Sequence, residues 1–274
     1  SDVYKRQVEV SDAEIRNARH AYYANTSYFD SKVGLITRTL EENGQLDNTI
    51  IIVTADHGDM LGERGLWYKM NFFEHSGRVP LIMAGPGVAG GAVSSPCSLV
   101  DILPTMVDIA ASTGAAKPAL GQPIDGRSLL PMASTGDEDH GDAIGEYCAE
   151  MTADPVIMIR RGRFKYIHCD SDAPLLYDLE ADPDEMVNLA GSAGHADIAA
   201  AFAAEIADGW PMASIKADVI AKQKQRQAIY SAMQSGVRAD WDYSPPRDAS
   251  EEYVRNHMDW TEAAARTRVP PYKG

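Results

Sequence analysis

Residues 48–78 read NTIIIVTADHGDMLGERGLWYKMNFFEHSGR. The stretch opens on an unbroken β-branched run, 49–54. Such a run predicts a short strand buried on both faces, as a central parallel strand of an α/β sheet requires. It stops at Ala55, and Asp56-His57-Gly58-Asp59 follows. In open α/β sheets ligands bind just beyond the carboxyl ends of strands. Asp56 and His57 are therefore candidate ligands for a divalent cation, with Gly58 letting the backbone turn. A carboxylate suits calcium or magnesium, whereas imidazole is less usual for such hard ions. His57 thus either ligates or hydrogen-bonds a substrate while Asp56 ligates. Lys69 follows a short loop later, placed to meet an anionic substrate. The plainer alternatives are a helix cap for Asp56, a core position for His57 and a solvated surface lysine for Lys69. Asp59 reads as a capping or supporting carboxylate.

Working outward, Ser11-Asp12-Ala13-Glu14 matches a capping box. Ile15, Tyr22, Phe29, Val33, Ile36 and Leu40 keep helical spacing up to a stop at Asn43-Gly44. These residues predict a long amphipathic helix packed on the sheet, with His20, Tyr22 and Tyr23 serving packing. After the loop, 79–84 is the next strand, and Asp101 is expected to cap a helix through Ala111. Leu103, Met106, Val107 and Ala110 would form that helix's inner face. His75 and Arg78 read as structural, Arg78 beside a carboxylate. The polar segment 134–142 reads as an exposed linker. Beyond it, 143–148, 156–160, 164–169 and 175–179 predict short strands with tight turns, hence an antiparallel sheet. Residues 198–234 predict two helices broken near Gly209 and Pro211.

Several of these segments, in this order, resemble the C-terminal half of type I sulfatases in the alkaline-phosphatase-like superfamily. They are TADHGD at 54–59, Lys69, VPLI at 79–82, DILPT at 101–105, GRSLLP at 126–131 and Asn188-Leu189. The likeness covers roughly residues 11–189, and the tail at 241–260, WDYSPPRDASEEYVRNHMDW, resembles the C-terminal extension of the choline-sulfatase branch. The fold class implied is α/β: the C-terminal half of an α/β/α sandwich over 8–135. A small α+β subdomain with an antiparallel sheet would follow over 136–205, then a helical and extended tail over 206–274.

The resemblance implies hydrolysis of a sulfate ester, most simply choline sulfate to choline and sulfate. It implies Lys69 as the catalytic, sulfate-binding cation, and Asp56 with His57 as ligands of calcium, or else magnesium. Many relatives carry Asn where this chain has His57. Glu146 and Tyr147 would face the alcohol part of the substrate. Asp259 or Trp260 would help enclose a quaternary ammonium within a homo-oligomer formed through the tail. The family's nucleophile is a formylglycine made in a Cys/Ser-x-Pro-x-Arg motif. Cys97 precedes Ser98-Leu99, Cys148 precedes Ala149-Glu150 and Cys169 precedes Asp170-Ser171, so none fits. The chain is therefore expected to begin after that motif and to be inactive alone. The rivals are a phosphonate monoester or phosphodiester hydrolase of the same superfamily, and a non-catalytic assembly module.

The bulk properties allow one large domain or a domain with an appendage: 274 residues, 45% hydrophobic and 24% charged. A net charge of −15 argues against nucleic acid or an anionic membrane as partner. No apolar run reaches the length of a membrane span. Three scattered cysteines suggest no disulfide framework and a reducing, cytoplasmic home, with the periplasm left open. Residues 2–7, DVYKRQ, can be encoded by a transposon-end string used in library preparation. Residues 1–7 are accordingly expected to be non-native and are set aside.

Overall fold

The computed structural model describes residues 10–236, apart from 113, 115, 118–120, 137–139, 150 and 151. The reading of 1–7 and the tail residues Asp259 and Trp260 lie outside the described residues. The chain divides into two units: 10–212, and 213–274 together with 1–9. In the second unit the described part is helix α6 (Met212–Gln234) beyond its first residue, with the turn after it. No described helix is long and apolar enough to cross a membrane.

Helix α1 (Asp12–Glu42) begins where its capping box predicts. Ser11 N donates to Glu14 Oε2 at 2.8 Å and Glu14 N donates to Ser11 Oγ at 3.4 Å. It ends at Asn43, whose side-chain amide donates to Thr39 O, and Gly44 takes the left-handed turn that follows. The expected packing is seen only in part: Ile15, Val33 and Leu40 are half-buried. No residue of α1 is buried, and Tyr23, Tyr28, Phe29, Leu35 and Ile36 stay exposed. The first sheet has two strands among the described residues.

Those strands are β1 (Ile51–Thr54) and β2 (Leu81–Ala84), paired antiparallel with Ile51 opposite Ala84 and Thr54 opposite Leu81. The central parallel strand expected at 49–54 is thus corrected: β1 is antiparallel to its described neighbour and only half-buried. β-Branching secures an extended backbone but carries no information on which strand will lie alongside.

Beyond the short helix α2 (Glu74–Gly77), helix α3 (Ile102–Ala111) starts after Asp101, as expected, but that carboxylate does not cap it. Asp101 Oδ1 accepts from Arg127 N at 2.8 Å, and Oδ2 accepts from Ser98 N at 2.8 Å and meets His140 Nε2 at 3.1 Å. A buried carboxylate must find donors, and it draws His140 inside. His140 is therefore no part of an exposed linker; the segment before it carries helix α4 (Leu130–Thr135). On α3 the expected inner face is also corrected. Pro104 and Thr105 are buried, whereas Leu103 and Met106 are exposed. Thr105 Oγ1 donates to Asp101 O at 2.6 Å and accepts from Leu129 N at 2.8 Å.

The second sheet is the expected antiparallel meander: β3 (Ala143–Tyr147), β4 (Val156–Arg161), β5 (Phe164–Cys169) and β6 (Asp172–Asp178) in sequence order. Directly opposed residues share a face. The register therefore puts Ile144, Glu146, Ile157, Ile159, Tyr166 and Leu176 on one face. Gly145, Tyr147, Met158, Lys165 and Tyr177 lie on the other. The first face is covered by helix α5 (Ala196–Gly209), whose Phe202 and Ile206 join Ile157, Ile159, Tyr166, Leu176 and Met212 in the core. Phe202 stacks on Tyr166 with centroids 5.6 Å apart. The break between α5 and α6 falls at Trp210-Pro211, close to where Gly209 and Pro211 place it. The second face meets the loop that follows β1.

Phe202→Ala is expected to cost about 3–5 kcal/mol by urea unfolding, the usual range for an aromatic removed from a core. Ile36→Ala on the exposed face of α1 is expected to change stability by less than about 0.5 kcal/mol.

Candidate functional site

The chain turns as it leaves β1, and Asp56 and His57 sit at that turn. Asp56 Oδ1 accepts from His57 N at 2.9 Å, which pins the carboxylate beside the next residue. Its other oxygen lies 3.4 Å from His57 Nε2, and the side chain is 85% exposed. His57 Nδ1 is 2.9 Å from Gly58 O. A carbonyl only accepts, so Nδ1 carries the ring proton and Nε2 offers its lone pair. Lys69 Nζ fills that lone pair at 2.5 Å. The three residues singled out from the sequence for this site therefore meet at one point beyond the end of β1.

The loop delivers Lys69 by main-chain stapling. Ser76, which is buried, puts its hydroxyl 2.5 Å from Lys69 O and 3.2 Å from Asn71 O. Its own carbonyl accepts from Gly58 N at 2.8 Å. Gly58 is required there, because a Cβ would stand 2.1 Å from His75 O. Helix α1 braces the loop's first half: Arg19 Nε donates to Leu61 O at 2.9 Å and its guanidinium pairs with Glu63. Asp59 lies by Tyr22, whose phenol is pushed up by burial and then by that carboxylate. Arg78 stands 4.0 Å from Glu74, the structural pairing anticipated for it.

The donor set decides how far a cation fits. The Asp56 carboxylate is exposed and hard, so it suits calcium or magnesium. His57 can offer Nε2 to a cation only when Lys69 moves off it. Among the described residues no group of three or more His, Cys, Asp or Glu side chains is gathered to hold a metal. Calcium takes about six to eight oxygens, so Asp56 and His57 supply a fraction of a shell.

Glu146 and Tyr147 are separated by the pleat. Successive strand residues point to opposite faces, so the expected joint grip on one ammonium is corrected. Gly145, on the face of Tyr147, packs so closely under Phe72 that a Cβ would stand 2.5 Å from the ring. That face looks toward the Lys69 loop. Glu146 is on the face of α5, where Trp210 Nε1 donates to Oε1 at 2.6 Å. Trp210 was not anticipated; a tryptophan between a helix-ending Gly209 and Pro211 is the available signal. The cysteines are free. Burial pushes the Cys97 thiol up, reinforced by Asp101, and burial with Glu146 does the same to Cys148. Neither is an activated thiolate.

Sequence reasoning also passed over Ser76, Glu74, Lys165 and Glu185. Lys165 and Glu185 are buried, and Lys165 Nζ lies 2.6 Å from Glu74 Oε1 and 2.6 Å from Glu185 Oε1. No spacing rule links positions so far apart in the chain.

The fold that carries this strand-end cluster is that of the alkaline-phosphatase-like class. Family models agree in order along the chain: "Sulfatase" over residues 2–112, "N-sulphoglucosamine sulphohydrolase, C-terminal" over 62–209, and "Choline sulfatase enzyme C terminal" over 217–269. The chain belongs to the sulfatase family. It is 43% identical to a choline-sulfatase of Rhizobium meliloti over 96% of this chain and 51% of that protein. It thus spans about half the length of the curated relatives it matches. A crystal structure of a protein assigned as a sulfatase from Bacteroides thetaiotaomicron superposes with a TM-score of 0.65 and 28% identity, covering 75% of this chain and 45% of that one. The phosphonate monoester hydrolase of Agrobacterium radiobacter gives 0.62 and 30%, covering 73% and 42%.

Gly58→Ala must push the His75 carbonyl away and so disturb the Ser76 staple. The expected outcome is a loss of about 1–3 kcal/mol of stability, read by thermal unfolding, with faster amide exchange at Ser76 and Gly77.

Proposed function

We propose that the protein is a sulfuric ester hydrolase that cleaves choline sulfate, and that this chain supplies its sulfate-binding lysine. The observation that carries the reading is Lys69 held on His57 beside Asp56 at the end of β1. Its ammonium is placed to neutralise a sulfate oxygen and the ester oxygen on which charge develops as the S–O bond breaks. When bound, calcium or magnesium would polarise the sulfate oxygens and a formylglycine would supply the attacking oxygen. Asp56 would hold the cation, with His57 either joining it or donating to the substrate. An anion entering between Lys69 and Asp56 would draw Lys69 off His57 Nε2, freeing the imidazole for that role. Choline as the alcohol is supported by the choline-sulfatase match at 217–269 and by the Rhizobium meliloti relative.

A second reading, phosphonate monoester or phosphodiester hydrolysis, is favoured by the likeness to the Agrobacterium radiobacter enzyme. The same lysine and carboxylate serve either anion, so an assay with choline sulfate beside a phosphonate monoester separates the two. A non-catalytic module is distinguished by an upstream sequence without the Cys/Ser-x-Pro-x-Arg motif. A cytoplasmic home is part of this reading, supported by the three scattered cysteines, with the periplasm left open.

In the full-length parent, Lys69→Ala should lower kcat/KM for choline sulfate about 100- to 1,000-fold without loss of bound metal. Asp56→Ala should lose both metal and activity. Metal content by mass spectrometry checks this, and unchanged metal in the Asp56 variant sinks the ligand assignment.

The tail carries Trp241, Trp260 and Tyr272 among prolines, the composition of a docked arm. We assign it to assembly of a homo-oligomer, with Asp259 or Trp260 bordering a neighbouring ammonium pocket. Deleting 235–274 from the parent should lower the mass seen by light scattering and raise KM for choline sulfate. An unchanged mass with an unchanged KM refutes it.

A further inference from the structure

We propose that Lys165 is a positioning residue for Lys69: a buried ion cluster on the small sheet closes the site loop and sets where its ammonium stands. The inference rests on the reading of Lys69 as the group that meets the anion.

Lys165 is on the β5 face turned toward the loop, and its side chain is 2% exposed. Its ammonium donates to Phe72 O at 2.8 Å and to Glu74 Oε1 at 2.6 Å. Glu185 Oε1 lies at 2.6 Å as an ion pair. Glu185 reaches both halves of the loop. Its Oε2 accepts from Glu74 N at 2.7 Å, and its backbone carbonyl accepts from Arg64 Nη1. Arg64 lies over the Phe73 ring at 4.2 Å, and Phe73 meets Tyr177 of β6 at 6.2 Å. From Glu74 the path continues through one helical turn to Ser76, which holds Lys69 O and the amide of Gly58. Two short links thus join the buried cluster to both residues of the Lys69–His57 contact.

Two features argue that the cluster serves geometry. A buried ion group is commonly no more stabilising than apolar residues of similar volume, yet it fixes one arrangement strongly once its partners are present. Among the described residues, the non-glycine positions at positive φ are Leu61, Arg64 and Glu185. Two are in the loop and one is its clasp. Strain of this kind persists only where the surroundings over-determine the backbone; here Arg19 holds Leu61 O, the Glu185 carbonyl holds the Arg64 side chain, and Lys165 holds the Glu185 carboxylate.

The test uses the full-length parent with Lys165→Met, Lys165→Arg, Glu74→Gln, Lys69→Ala and the double variant Lys69→Ala/Lys165→Met. A misplacement of about 1 Å costs up to about 100-fold in rate. Lys165→Met is therefore expected to lower kcat for choline sulfate about 10- to 100-fold. KM should change by less than about threefold, since the loss falls mainly on the transition state. Lys165→Arg should recover part of the rate, and the double variant should be no slower than Lys69→Ala. Amide exchange should rise across 58–78 while 156–178 stays protected. Losses that multiply in the double variant, or exchange that rises equally in both segments, overturn the proposal. So does a folded Lys165→Met enzyme with the parent's kcat. If Lys165→Met does not fold, Glu74→Gln must show the same pattern in milder form or the proposal fails. If the parent releases no sulfate at all, the proposed function fails, and the exchange comparison alone decides the clamp.

Discussion

A lysine ammonium sealed inside a small protein unit must find oxygens, and Lys165 finds two on the loop that leaves β1 and a third on Glu185 beyond β6. That requirement ties the second sheet to the first half of the chain. Opening the loop would strip Phe72 O and Glu74 from the buried cation and leave it Glu185 alone, a loss larger than the energy of an ordinary surface contact. The closed loop in turn positions Ser76, Gly58 and Lys69. A second buried charge does similar work elsewhere. Asp101 gathers amides from Ser98 and Arg127 and the ring of His140, so His140 lies inside.

The two faces of the small sheet divide its duties. The α5 side is a conventional apolar core, with Phe202 stacked on Tyr166 and Ile157 and Ile159 beneath. The loop side is polar at its centre and aromatic around it, through Lys165, Phe72, Phe73 and Tyr177. Side-chain alternation makes this division possible with one pleat. It also explains why Glu146 and Tyr147, neighbours in the chain, serve different surroundings.

Much of the fold was legible residue by residue. The capping box at Ser11, the Asn43-Gly44 stop, the four strands of the meander and the helix break at Pro211 all came from patterns a few residues wide. Their structural consequences are equally local: a side-chain oxygen three positions away, or a missing amide. Site composition was legible to the same depth. Motif order singled out Asp56, His57 and Lys69, and the loop brings them together. The misjudged features were those of orientation and partnership: the pairing of β1, the buried side of α3, the packing of α1, and the inward position of His140.

The sequence by itself determined where the chain is helical, where it is extended and which polar groups stand just beyond β1, because each depends on near neighbours along the backbone. The tertiary structure alone decided what those groups lean on. Glu74 and Lys165 stand 91 positions apart, and Arg64 and Glu185 stand 121 apart. No local preference draws such residues together. They meet because a buried charge tolerates few surroundings, and the folded loop supplies them.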